Sequence, residues 1–199
     1  MMKIGVYSEN VDGVWFGVAC DEKNVFATSF GRDEAAAVGS LVDCLPLDAD
    51  YHVFSKPSPF AEQALRSVKS VYDGKGESLM LSLATERLSS FQSRVLEITR
   101  LIPVGYVASY GALSEAAGGS PRAVGGVMAA NPFAPILPCH RVVRSDFTLG
   151  GYGGGLDVKA EMLTREKRGK SSAVDIPIAG KKLRLFPVEL ALEKAEKGK

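Results

Sequence analysis

The first thirty residues alternate short apolar runs with turn-forming residues, a pattern typical of antiparallel strands. Strands are predicted over residues 3–7, 14–19 and 25–30. The segments between them, Glu9-Asn10-Val11-Asp12-Gly13 and Asp21-Glu22-Lys23-Asn24, contain the Asn, Asp and Gly residues that tight turns favour. We therefore expect an antiparallel meander at the start of the chain.

Longer segments with helical character follow the strands. Helices are predicted over residues 33–45 and 58–72, and Asp73-Gly74-Lys75-Gly76 ends the second one. Residues 77–83 are predicted to return to the sheet. The fold class expected for residues 1–84 is an α/β N-terminal domain, a small β-sheet with helices.

The second half is predicted to be mainly helical. Apolar residues recur there at helical spacing, at Phe91, Val95, Ile98 and Ile102. A short helix over 109–117 is closed by two glycines, and Ser120 and Pro121 suit the start of the next helix. Two short helices joined by a tight turn predict a helix-turn-helix. We expect a mainly α C-terminal domain over residues 85–170 that contains it.

Residues beyond the second domain are predicted to form an extension over 171–199. A helix is expected from Leu156 to about residue 167, followed by a linker. A hairpin over 174–178 and 182–186 and a short helix from about Pro187 complete the chain.

Composition and charge narrow the class of protein. The chain has 199 residues, 46% of them hydrophobic and 24% charged, as in ordinary globular proteins. Residues 1–86 carry a net charge of −6 and residues 87–199 one of +7, so the second half suits a polyanion. The sequence shows neither a membrane-spanning apolar run nor a signal peptide, and we expect a cytoplasmic protein.

The most informative segment surrounds Cys139. Prolines at 132, 135 and 138 stiffen the approach to this residue, and His140 follows it directly. A thiolate is the reactive form of cysteine, and a neighbouring imidazole is a common way to generate it. The sequence therefore predicts a reactive sulfur at Cys139.

The other two cysteines carry a weaker signal. Cys20 and Cys44 lie in apolar segments and are interpreted as small buried hydrophobic residues. A zinc site formed by Cys20, Cys44 and His52 is conceivable, but their spacing matches no zinc-finger pattern. We expect no metal and no cofactor.

Five motifs within residues 87–166 resemble the O6-alkylguanine-DNA alkyltransferases, also called methylated-DNA–protein-cysteine methyltransferases. In order along the chain they are Val107-Ala108-Ser109-Tyr110-Gly111, Ser120-Pro121-Arg122-Ala123-Val124-Gly125-Gly126-Val127-Met128, Asn131-Pro132, Ile136-Leu137-Pro138-Cys139-His140-Arg141-Val142-Val143, and Gly151-Tyr152 with Gly154-Gly155-Leu156. The resemblance implies repair of O6-methylguanine, and of O4-methylthymine as a second substrate. The alkyl group would pass irreversibly to Cys139 in a single turnover.

The resemblance also implies the roles of individual residues. Cys139 would accept the alkyl group and His140 would take its proton through a bridging water. Glu166 would orient His140, Tyr110 would donate a proton toward the departing guanine, and Asn131 would hold the turn before the active site. The base pocket would be lined by Pro138, Val143, Tyr152, Gly153, Gly154 and Met128. The family often has serine where Gly153 stands, so one hydroxyl contact is missing here.

The implied partner is double-stranded DNA, contacted by a monomer through the minor groove. A small-residue helix would approach the duplex closely, and Arg122 would fill the gap left by the flipped base. The residues expected to contact DNA are Arg122, Ala123, Ser120, Gly125, Gly126, Tyr110 and Arg141. Lys159 matches a family lysine and is expected in a surface ion pair.

Two other functions remain open from the sequence. The first is a protein that binds alkylated DNA without transferring the group. The second is a thiol hydrolase that uses Cys139, His140 and Glu166, although papain-like enzymes do not place Cys and His next to each other in sequence. A role in transcription alone is disfavoured, because the minor groove carries a degenerate code.

Overall fold

The structure, a computed structural model, describes residues 3–76 and 81–197. The chain divides into two compact units. The first takes its described residues from Met1–Tyr72, Glu77–Arg87 and Pro132–Ile136, and the second from Asp73–Gly76, Leu88–Asn131 and Leu137–Lys199. The domain boundaries expected near residues 84 and 170 stay predictions. No helix among the described residues has the length and apolar character needed to cross a membrane.

The first unit is built on a four-stranded sheet with the order β3-β2-β1-β4. The meander expected from the sequence is confirmed, with antiparallel pairing of β1 to β2 and of β2 to β3. The strands are β1 (Lys3–Val11), β2 (Val14–Cys20), β3 (Val25–Gly31) and β4 (Asp50–Phe54). Strand β4 runs parallel to β1 and was not predicted. All of its residues are exposed, so it lacks the alternation that marks a half-buried strand.

Two helices accompany this sheet, as predicted. They are α1 (Glu34–Asp43) and α2 (Pro59–Tyr72). Asp33 caps α1 by accepting a hydrogen bond from the Ala36 N–H at 2.8 Å. The predicted return of residues 77–83 to the sheet falls partly outside the described residues; Leu83 forms an isolated parallel bridge with Val25.

Five helices form most of the second unit. They are α3 (Ser90–Arg100), α4 (Tyr110–Ala117), α5 (Pro121–Ala129), α6 (Leu156–Arg165) and α7 (Val188–Lys197). Ser120 caps α5 through its side chain, and Pro121 opens the helix, as the sequence predicts. Gly118 and Gly119 both have positive φ, which allows the tight turn between α4 and α5. These helices match the predicted positions, while the assignment of a DNA-binding helix-turn-helix stays a prediction.

The second unit also contains a four-stranded sheet, of which the sequence predicted only the hairpin over 174–178 and 182–186. Its strands have the order β6-β5-β8-β7, with β5 (Tyr106–Ser109), β6 (Val142–Val143), β7 (Val174–Ile178) and β8 (Lys181–Pro187). Strand β5 leads directly into Tyr110. Strand β6 directly follows a 3-10 turn at Cys139–Arg141. The sheet therefore fixes the two chain segments that carry Tyr110 and Cys139.

Candidate active site around Cys139

Cys139 lies at the start of a short, internally bonded turn. Its N–H donates to the Leu137 carbonyl at 2.8 Å, and the Arg141 N–H donates to the Pro138 carbonyl at 2.9 Å. The Asn131 side chain donates to the same Leu137 carbonyl at 2.8 Å. Asn131 is thus bonded to the turn before Cys139, and its role in holding that turn for the reaction stays a prediction.

The environment of Cys139 favours the neutral thiol. The residue is only 6% exposed, and burial raises the pKa of its thiol above the ordinary value of 9.0. A hydrogen bond with Asn131, the charge of Lys159 and nearby backbone groups oppose that rise in part. The sulfur predicted to be reactive is therefore protonated in the resting protein, and a base must take its proton when it reacts.

His140 lies beside two charged side chains in the interior. Its Nε2 is 2.9 Å from Glu166 Oε1, and both side chains are fully buried. Burial alone raises the pKa of Glu166, but hydrogen bonds and charges from His140 and Arg141 outweigh it and hold the pKa below 4.5. Glu166 is therefore a carboxylate, which can only accept hydrogen bonds.

The carboxylate of Glu166 determines the tautomer of His140. Burial lowers the pKa of His140 below 6.5, with only partial compensation from Glu166, so the ring is neutral. Nε2 must then carry the proton that is donated to Glu166, which leaves Nδ1 as the basic nitrogen. Nδ1 is buried and has no hydrogen-bond partner among the described protein groups. The arrangement supplies a neutral base with one acceptor nitrogen.

Arg141 points inward, which corrects the expectation that it contacts DNA. Its Nε and Nη2 donate to Glu166 Oε1 at 3.1 and 2.7 Å, and Nε also lies 2.9 Å from Oε2. Its Nη1 donates to the Ile102 carbonyl at 2.6 Å. With the residue 6% exposed, the guanidinium is occupied by groups of the second unit, and we assign it the positioning of Glu166.

Lys159 is also buried, not in the surface ion pair that was expected. The residue is 0% exposed, and Nζ donates to the carbonyls of Val142 and Leu149 at 2.6 and 2.5 Å. Burial lowers the pKa of Lys159 to about 8. The ammonium ties the strand after Cys139 to the glycine-rich loop, residues 149–155. The sequence signal was the match to a family lysine, which did not indicate that the side chain is buried.

Tyr110 borders the same region and is half-buried. Burial raises the pKa of its hydroxyl, ionisation of Cys139 would raise it further, and the charge of Arg144 lowers it in part. A Cβ on Gly150 would lie 3.0 Å from Cε2 of Tyr110, and Gly150 has a φ of +69°. Glycine thus allows the loop to approach the tyrosine ring closely.

The residues predicted to line the base pocket fall into two groups. Tyr152 is half-buried, with its hydroxyl 3.6 Å from Met162 Sδ, and Gly153 and Gly154 are exposed. Pro138, Val143 and Met128 are buried. Val143 belongs to a hydrophobic core with Val107 and Leu163. Its assignment as a pocket residue is replaced by a packing role.

The residues predicted to contact DNA on α5 are accessible. Ser120, Arg122, Ala123 and Gly126 are exposed, and Gly125 is half-buried. Small residues on an exposed helix face allow close approach of a large ligand. Among residues 3–76 and 81–197, no group of three or more His, Cys, Asp or Glu side chains is arranged to hold a metal ion.

Comparisons with known proteins identify the class. A sequence profile described as "6-O-methylguanine DNA methyltransferase, DNA binding domain" matches residues 90–168. A methylated-DNA–protein-cysteine methyltransferase of Methanosarcina barkeri is 39% identical over 110 residues, which are 54% of this chain and 69% of that protein. A protein of Thermus thermophilus named "DNA base-flipping protein" is 40% identical over 114 residues, 54% of this chain and 78% of that protein.

A solved structure shows the same fold. The crystal structure of an O6-methylguanine-DNA methyltransferase from the hyperthermophilic archaeon Pyrococcus kodakaraensis matches with a TM-score of 0.65 and 29% identity, covering 82% of this chain and 98% of that one. The chain belongs to the methylated-DNA–protein-cysteine methyltransferase family. Matches to other curated relatives span about half of their length, from 41% to 64%.

Proposed function

We propose that this protein repairs alkylated DNA by transferring the alkyl group from O6 of guanine to the sulfur of its own Cys139. O6-methylguanine is the chief substrate and O4-methylthymine a second one. The observation that carries the proposal is the neutral His140, which directly follows Cys139 in the chain. Its Nε2–H donates a hydrogen bond to the Glu166 carboxylate. No cofactor takes part in this reaction.

The proton is transferred when the sulfur attacks. Nδ1 of His140 accepts the thiol proton through a water molecule, and the resulting imidazolium is stabilised by Glu166. The sulfur forms a bond to the alkyl carbon as the bond between that carbon and O6 breaks. Tyr110 donates its hydroxyl proton to the departing guanine. The product is a thioether, which cannot ionise to a thiolate. Because the free thiol is not regenerated, each protein molecule reacts once.

The DNA is held by α5. The positive second half of the chain suits the phosphates, and the exposed small residues of α5 suit close entry into the minor groove. Arg122 occupies the space of the flipped nucleotide, because the target atom is inaccessible within the base stack. Ser120, Ala123, Gly125 and Gly126 contact the groove, and α4 with α5 acts as the helix-turn-helix. The protein works as a monomer in the cytoplasm.

A second candidate is binding of the lesion without transfer. The relative named DNA base-flipping protein supports it, since that name carries no transferase activity. The presence of Cys139 favours transfer. The two functions differ in whether the protein becomes alkylated.

The test uses a duplex in which one O6-methylguanine carries a radiolabelled methyl group. The wild-type protein is expected to take up one label per molecule and no more, even with excess DNA. Cys139→Ser is expected to take up none while still binding the duplex, and Cys44→Ser serves as the control that reacts like the wild type. A wild-type protein that binds the duplex and takes up no label would overturn the proposal in favour of lesion binding.

A further inference from the structure

Residues 174–197, which we name the C-terminal segment, comprise β7, β8 and α7 and lie beyond the family match that ends at residue 168. Strand β8 pairs with β5, with Val107 opposite Phe186 and Tyr106 opposite Pro187. The Val188 N–H adds a hydrogen bond to the Gly105 carbonyl at 3.0 Å. The segment thereby holds the strand that leads into Tyr110.

Helix α7 packs one face onto the strands and helix that carry the other site residues. Val188, Ala191 and Leu192 recur at helical spacing and are at most 5% exposed. They share one hydrophobic core with Val143 and Leu163. Val143 lies four residues after Cys139, and Leu163 lies three residues before Glu166. A change in packing at α7 would therefore displace residues that lie within four positions of Cys139 and Glu166 in the chain.

Two polar contacts extend this support. Lys181 Nζ donates to the Glu115 carbonyl at 2.6 Å, in the last turn of α4, where carbonyls lack helical partners. Glu189 Oε1 accepts from the Gly169 N–H at 3.0 Å, just after Glu166. A cation at a helix C-terminus stabilises that end of the helix. The hydrogen bond from Gly169 holds the chain that follows α6. The segment thus contacts the C-terminal end of α4, the helix that begins with Tyr110.

We propose that the C-terminal segment is a positioning element of the alkyl-transfer site. This inference rests on the proposed function. It holds the chain segments of Tyr110, Cys139 and Glu166 in register without touching the reacting atoms. Small displacements of reacting groups are costly, since a shift of about 1 Å can reduce a rate on the order of 100-fold. The segment is therefore required for the rate of transfer and not for affinity to DNA.

The test compares two leucines of α7 in the full-length chain. Leu192 is 5% exposed and Leu190 is 38% exposed. Leu192→Ala opens a cavity in the hydrophobic core that contains Val107 and Val143, whereas Leu190→Ala removes an exposed side chain from the same helix. The rate of methyl transfer at saturating duplex and the Kd for the duplex are measured at a temperature where circular dichroism shows the variants folded.

Leu192→Ala is expected to slow transfer about tenfold with an unchanged Kd, since a partial displacement costs less than one of 1 Å. Leu192→Met, which conserves volume, is expected to restore the rate, and Leu190→Ala to match the wild type. If Leu192→Ala does not fold, Leu192→Val provides the same comparison with a smaller cavity.

Two results would overturn the inference. One is a folded Leu192 variant that transfers at the wild-type rate. The other is a loss of rate that follows a loss of DNA affinity, which would indicate that the segment acts on the duplex instead. Absence of transfer by the wild type overturns the proposed function itself, and is thus distinguishable from failure of the variants alone.

Discussion

At the scale of single residues, the site combines a deeply buried thiol with groups that can ionise it. Burial disfavours the thiolate of Cys139, while Lys159 and Asn131 favour it. The balance leaves the thiol protonated, which protects it from reaction with small electrophiles. Reaction then depends on substrate bound next to the neutral His140.

This balance predicts a slow, pH-dependent reaction of Cys139 with iodoacetamide in the absence of DNA. Because burial raises the pKa of the thiol, the rate is expected to climb with pH and to reach its midpoint above pH 9.0. Peptide mass spectrometry separates Cys139 from Cys20 and Cys44. A midpoint below about pH 8 would show a thiolate already present at rest.

Arg141 gives a second prediction at this scale. Arg141→Ala leaves the buried Glu166 carboxylate without its guanidinium partner, and breaking a buried pair costs about 3–5 kcal/mol. Urea denaturation is expected to show that loss in the free energy of unfolding, with little change in affinity for undamaged duplex. Arg144→Ala, an exposed neighbour, is the control. Normal stability with lost DNA affinity would restore the DNA-contact role that the sequence suggested.

At the scale of elements, α5 is the part of the second unit best suited to enter a groove. Its cap, its opening proline and its exposed small residues were all readable from the sequence. The inward-facing residues Val124, Val127 and Met128 hold it on the unit. In the proposed function the exposed face, with Arg122 in its first turn, contacts the duplex.

Arg122→Ala is expected to slow methyl transfer much more than it weakens duplex binding. In the proposed complex the arginine fills the gap left by the flipped base, and it would offset part of the few kcal/mol that flipping costs. A loss of about tenfold or more in transfer rate is expected, with less than about threefold in Kd, since the positive charge of the second half still attracts the phosphates of the duplex. Arg66→Ala in α2 removes an equal charge as the control. Unchanged transfer in Arg122→Ala would end the intercalation claim.

The sequence predicted elements well where the pattern was local. The capped helices α1 and α5 and the β1–β2–β3 meander carry their signals in neighbouring residues. Strands β5 and β6 have four and two residues, too short to show periodicity, and exist because distant segments pair with them. The β7–β8 hairpin was predicted, but its pairing with β5 was not, since long-range pairing leaves no local signal.

At the scale of the whole molecule, the buried His140 couples stability to pH. Its pKa in the folded state lies below 6.5, so the unfolded chain binds the proton more readily. Stability is therefore complete above pH 6.5 and falls as the pH drops below that value, by at most about 1.4 kcal/mol per pH unit. Glu166, with its lowered pKa, adds a further loss in the same direction below pH 4.5.

His140→Gln tests this coupling, because glutamine retains a donor for Glu166 and does not titrate. The variant is expected to be less stable at pH 7.5 but to lose less stability than the wild type between pH 6.5 and pH 5. Urea denaturation at the three pH values provides the comparison. Equal slopes in the two proteins would contradict a neutral, buried His140.

The sequence indicated which residues belong to the candidate site, but it indicated less about how their side chains are arranged. Cys139, His140 and Glu166 were named from motif order, and the structure brings His140 and Glu166 to 2.9 Å. The inward turn of Arg141, the burial of Lys159 and the packing of Val143 depend on which tertiary contacts form around each side chain. A motif fixes residue types but not the direction in which long cationic side chains point.

The central claim is that one sulfur accepts the alkyl group, and peptide mass spectrometry after reaction with an O6-methylguanine duplex tests it most directly. The account predicts a single added methyl group on the peptide that contains Cys139, together with restored guanine in the DNA. A methyl group on Cys20, Cys44 or any other residue, or an unmodified protein beside repaired DNA, would contradict it.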